Sequence, residues 1–94
     1  MTPTREQLEL AAKAAGMNQT ESWLAYNWQP TTFKSDSFDL MVTCDIEPEF
    51  FDNCVTATAC GVMWDEWLKD HNNDKQLATM WAVFLCAVEI GRAM

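Results

Sequence analysis

The chain has 94 residues, the size of one domain, with 49% hydrophobic and 21% charged residues. That balance excludes disorder by composition, and three glycines with three prolines exclude a linker-rich or collagen-like chain. Fourteen acids against six bases give a net charge of −8. A general nucleic-acid binder and a ligand of anionic membranes are thereby disfavoured, because both need clustered Lys and Arg.

The first predicted element is a helix from Pro3 to Ala15. Thr4 followed three residues later by Gln7 is a capping-box pattern, and Thr2 ahead of Pro3 is an equally good start. Leu8, Ala11, Ala12 and Ala15 recur at helical spacing as one apolar stripe, and Gly16 suits the left-handed position that ends a helix. No apolar run precedes this helix, so no secretory signal is expected and the chain reads as a soluble intracellular protein. Residues 17–35 read as a loop pinned to the core by its aromatics Trp23, Tyr26 and Trp28, with a short strand as the alternative; Pro30 biases Gln29 away from helix.

Residues 36–45 read as a helix capped by Ser35 or Asp36, with Phe38, Met41 and Val42 on one face. A strand is the rival, since Phe38, Leu40 and Val42 also alternate with Asp39, Met41 and Thr43. Pro48 reads as a break. A strand is predicted over residues 51–60, where Val55 to Cys60 alternates with period two, and Gly61 marks a turn or bulge. Val62 to Leu68 is then the returning strand, with Val62, Trp64 and Glu66 on one face. A helix joining Trp64, Trp67 and Leu68 is the alternative there. Asp70 to Asp74 reads as a polar loop that leaves His71 at the surface, and Asn73 or Asp74 caps a last helix over residues 74–92.

That last helix is apolar on nearly every side, through Leu77, Met80, Trp81, Phe84, Leu85 and Val88 and then Ala78, Ala82, Val83, Cys86, Ala87 and Ile90. A helix of this kind is buried on nearly every side. It is therefore either central to the domain or shared with a second copy, a homodimer through residues 77–90 with Trp81 and Phe84 partly at the interface. Its apolar stretch is shorter than the about 20 residues a bilayer demands. The elements together describe a single α+β domain over residues 1–94: a small antiparallel sheet or hairpin packed with N-terminal and C-terminal helices.

The motifs of catalysis are missing. Cys44, Cys54, Cys60 and Cys86 show no CxxC spacing and read as reduced, mostly buried thiols rather than metal ligands. Ser22, Ser35 and Ser37 lack a nucleophile elbow, and no glycine-rich phosphate loop is present. The expectation is a protein without enzymatic activity, cofactor or metal.

The charge, by contrast, is segregated. Acids and bases balance over residues 1–34 and again over residues 69–94. Residues 35–68 carry Asp36, Asp39, Asp45, Glu47, Glu49, Asp52, Asp65 and Glu66 with no base. Such a segment is either a solvated face or a docking surface for a basic partner. Trp64 and Trp67, flanking Asp65 and Glu66, are the candidate anchors of that surface, because Trp buries a large area at low entropy cost.

Three stretches in order carry a resemblance: Leu8-Glu9-Leu10-Ala11-Ala12-Lys13-Ala14-Ala15-Gly16, then Trp28-Gln29-Pro30 ahead of Ser35-Asp36-Ser37, then Ala87-Val88-Glu89-Ile90-Gly91-Arg92-Ala93-Met94. This order resembles small phage proteins described as an alpha-beta-alpha sandwich domain of unknown function. The resemblance implies a phage origin, an intracellular stage in the host cytoplasm, and helices flanking a small sheet. Joined to the segregated charge, it gives the expectation of an anti-defence protein. Such a protein would bind a bacterial host protein with a basic surface, such as a CRISPR nucleoprotein, and cover its nucleic-acid site without touching nucleic acid or membrane. A homo-oligomeric phage assembly protein is the alternative.

Overall fold

A computed structural model describes residues 2–17 and 28–94. Helix α1 (Arg5–Ala14) begins with the expected capping box: Thr4 Oγ1 accepts from the Gln7 amide at 3.1 Å, and Gln7 Oε1 accepts from the Thr4 amide at 2.9 Å. It ends at Gly16, whose φ of +69° lets the Gly16 amide reach Lys13 O and the Met17 amide reach Ala12 O. The readings of Trp23, Leu24 and Tyr26 lie outside the described residues. Trp28 is buried, and residues 30–32 form a turn, so the part of the loop that is described is pinned by its indole as expected.

Helix α2 (Lys34–Thr43) settles the helix-or-strand choice at residues 36–45. Its cap differs from the expectation. Phe33 is the N-cap and has no side-chain hydrogen bond, while Asp36 Oδ2 accepts from the Gln29 amide at 2.9 Å and ties the preceding turn to the helix. The helix closes with Asp45 at φ +53°, whose amide donates to Val42 O as the Ile46 amide donates to Met41 O.

The sheet has three strands in sequence order, all antiparallel: β1 (Glu47–Phe50), β2 (Cys54–Ala59) and β3 (Val62–Trp67). Two expectations change here. The predicted single strand over 51–60 is one strand beginning at Cys54, and Pro48 does not break structure but sits inside β1. Proline is tolerated there because β1 is an edge, so its missing N–H costs no ladder bond. The hairpin β2–β3 is as read, turning on Cys60 and Gly61, both at positive φ, as a two-residue turn between right-twisted strands needs.

A 3-10 helix (Leu68–His71) and two left-handed asparagines, Asn72 and Asn73, lead into α3 (Lys75–Ala93). Asp74 caps it as expected, accepting from the Leu77 amide at 3.1 Å. Helix α3 is the centre of the domain. All three strands pack on one side of it, α1 packs on another and α2 on a third. Trp81, Val83, Phe84, Cys86, Ala87 and Val88 are all buried within the one chain. Burying this helix therefore needs no second copy, and Trp81 and Phe84 are core residues rather than interface residues. The α1–α3 contact is close enough that a Cβ on Gly91 would overlap the Leu10 carbonyl, so glycine is required there.

Among the described residues, the helices lie on one face of the sheet only. The single α+β domain, a small antiparallel sheet packed with N-terminal and C-terminal helices, is the expected fold class. Nothing among the described residues covers the opposite face.

Candidate functional site

The pleat sorts the acidic middle of the chain. Alternation along the strands places Val55, Ala57 and Ala59 of β2 with Val62, Trp64 and Glu66 of β3 on the face that meets α3. Glu47 and Glu49 of β1, Thr56 and Thr58 of β2, and Met63, Asp65 and Trp67 of β3 take the other face. Cross-strand register sets Glu49, Thr56 and Asp65 in one row and Glu47, Thr58 and Met63 in the next. Glu47, Glu49 and Asp65 are exposed, while Met63 is 66% and Trp67 47% exposed. Thr56, in the middle of the row, is covered by its neighbours and donates its hydroxyl to Asp65 Oδ1 at 2.7 Å. This fixes one carboxylate above the sheet.

The other candidates fall elsewhere. Asp36 and Asp39 are on α2 and line a cleft of about 430 Å³ with Trp28, Phe38 and Val42. Asp45 is in the turn after α2 and Asp52 in the turn between β1 and β2, both exposed. Trp64 and Glu66 belong to the closed face and are not free to anchor a partner. Glu66 is only 6% exposed, and both of its oxygens are engaged: Oε2 accepts from Trp64 Nε1 at 2.8 Å, and Oε1 meets His71 Nε2 at 2.8 Å.

His71 is buried rather than at the surface, because the 3-10 turn brings it back under β3. Its ring stacks on Trp81 at 6.0 Å, and Trp81 meets Phe84 edge-on. A buried acid is stable only when partnered, and the sole histidine of the chain is that partner. One wall of a cavity of about 450 Å³ is made by His71 and Trp81, with Thr31, Asp70 and Asn72 around it. The Glu66–His71 contact ties β3 to the turn that follows it.

The two buried thiols are quiet. Burial, with Cys60 and then Asp45 adding to it, raises the Cys44 thiol above its ordinary value. Burial, aided by Cys44 and Cys60, pushes the Cys86 thiol up to about 11. Among the described residues no group of three or more His, Cys, Asp or Glu is placed to hold a metal ion, and no helix is long and apolar enough to cross a membrane. No protein-family model matches the chain, and no curated protein or solved structure is significantly similar to it.

Proposed function

We propose that the protein works by binding, and that it docks the open face of its sheet on a basic protein surface. The observation that carries this reading is the gathering of Glu47, Glu49 and Asp65 beside the half-exposed Trp67 on a face that no helix among the described residues covers. Carboxylates two residues apart on one strand are separated by about 7 Å, and those on strands either side of β2 by about 10 Å. A surface of Lys and Arg can meet all three at once, with Met63 and Trp67 supplying apolar area on either side of Asp65 along the edge strand β3. Asp36, Asp39, Asp45 and Asp52 add to the field that steers such a partner without sharing the face.

The narrower reading is a phage protein acting in the host cytoplasm against a bacterial defence nucleoprotein of CRISPR type. It rests on this face together with the resemblance of the three sequence stretches. The test is capture from bacterial lysate with the native chain and with the triple variant Glu47→Lys, Glu49→Lys, Asp65→Lys, at low and high salt. The expected result is one basic, nucleic-acid-binding protein, held at low salt, released at high salt and absent with the variant. Capture of the same proteins by both chains would overturn the proposal.

A further inference from the structure

On the helical side of the molecule, α2, the first half of α3 and the edge strand β1 enclose a groove of about 470 Å³. Phe38 and Phe50 form its two lips, and Met41, Met80 and Val83 its floor. Phe38 is 59% and Phe50 52% exposed, an unusual state for two phenylalanines that face one another across an apolar trough. The groove also departs from the rest of the molecule in charge. In a chain with a large excess of acid, no carboxylate among the described residues lines it, and two of the six bases, Lys34 and Lys75, do. Neither ammonium group forms an ion pair among the described residues; Lys75 Nζ lies over the Phe50 ring at 5.8 Å from its centroid.

We infer that this groove receives an acidic amphipathic helix from a protein partner, its apolar stripe set between Phe38 and Phe50 and its carboxylates meeting Lys34 and Lys75. The shape favours a helix over a fatty acid of the same charge. Sites for small apolar ligands enclose most of the ligand surface. This groove is open along one side, where an acyl chain would stay wet and a helix would turn its polar face. A trough of this volume takes roughly three to four large side chains, the set that a helix presents at i, i+3, i+4 and i+7. Two methionines in the floor let it adapt to their shapes. The inference is independent of the open sheet face, which lies on the other side of the sheet and selects for the opposite charge.

The probe is a fluorescein-labelled peptide of about 16 residues, long enough to hold a helix in water, with Leu and Phe in one stripe and Glu elsewhere. Three controls accompany it: a scrambled peptide of the same composition, a peptide with the same stripe and Lys for Glu, and palmitate as competitor. Fluorescence anisotropy is expected to show the acidic peptide binding at least tenfold tighter than either control peptide, and palmitate failing to displace it. Lys34→Glu with Lys75→Glu is expected to weaken it at least tenfold, and Phe38→Ala to weaken it while leaving the thermal midpoint unchanged, since that ring is mostly exposed. The triple charge reversal at Glu47, Glu49 and Asp65 is expected to leave peptide binding intact, so the groove and the sheet face fail or stand separately. Equal binding of the scrambled or the Lys-bearing peptide would overturn the inference. So would displacement by palmitate, or sedimentation showing that a second copy of the chain fills the groove in a Lys34- and Lys75-dependent dimer.

Discussion

The two faces of the sheet come from the same three strands and treat their acids in opposite ways. Asp65 and Glu66 are adjacent in the chain, yet the pleat sends one to water and the other into the core. Asp65 keeps a solvated carboxylate with one tie, to the Thr56 hydroxyl. Glu66 has both oxygens bound, by Trp64 and His71, under a helix that excludes water. An acidic side chain therefore has two roles here. On the open face it is available to a partner; on the closed face it fixes where β3 meets the following turn.

The sharpest test of that difference is to remove each charge in turn. Glu66→Ala leaves Trp64 Nε1 and the buried His71 ring without their partner, and orphaning a buried polar group costs about 1–3 kcal/mol for each. Urea unfolding of Glu66→Ala should show that loss, a large fraction of the stability of a domain this small. Asp65→Ala should change stability by only about 1 kcal/mol, because its side chain is already in water. Equal costs at the two positions would mean that the faces are not distinct environments.

Much of this contrast was present in the sequence and part of it was not. The period-two run from Val62 to Trp67 places Trp64 and Glu66 on one side, and the hairpin on Cys60-Gly61 follows from it. The caps at Thr4 and Asp74 and the central α3 were legible for the same reason: short-range patterns with a local physical cause. The burial of His71 was not, because it depends on a single 3-10 turn whose direction no periodicity records. A usable signal did exist, since a glutamate on the apolar face of a strand demands a partner and the chain has one histidine. Strand β1 was hidden by Pro48, which forbids a central strand and permits an edge. The gathering of Glu47 and Glu49 with Asp65 was hidden with it, because only the pairing of β1 to β2 brings them to one face in adjacent rows. The groove was not legible at all: Phe38, Phe50 and Met80 lie in three separate elements.

The cysteines extend the comparison to chemistry. Cys60 is exposed at the hairpin tip, while Cys44 and Cys86 are buried. A thiol reagent at neutral pH is expected to modify Cys60 readily and to reach Cys44 and Cys86 only after urea unfolding. The raised thiol of Cys86 also sets the sign of a pH effect. The folded state keeps a proton that the unfolded chain releases near the ordinary thiol value of about 8.5. Its contribution to stability is complete below that value and is lost as pH rises toward about 11. The urea midpoint should therefore fall over that window more steeply in the native chain than in Cys86→Ala. Parallel profiles would place the Cys86 thiol in contact with water.

The smallest effect is at Thr56, and it probes the boundary between the two faces. Thr56 belongs to the open side of β2 but is itself covered, since Glu49 and Asp65 flank it across both ladders. Its hydroxyl holds Asp65 at 2.7 Å. Thr56→Val keeps the shape and the β-branch and deletes only that donor. Asp65 can replace the lost bond with water, and valine suits a strand at least as well, so the stability change should stay within about 1 kcal/mol. The consequence for binding should be larger than that for folding. With the tether gone, Asp65 must be ordered when a basic partner arrives, and ordering a released side chain lowers affinity without altering the fold. Thr56→Val should then slow association little and speed dissociation from the captured partner. A variant that binds as the native chain does would show that Asp65 acts through its charge alone, and that the row Glu49-Thr56-Asp65 is a source of field rather than a positioned contact.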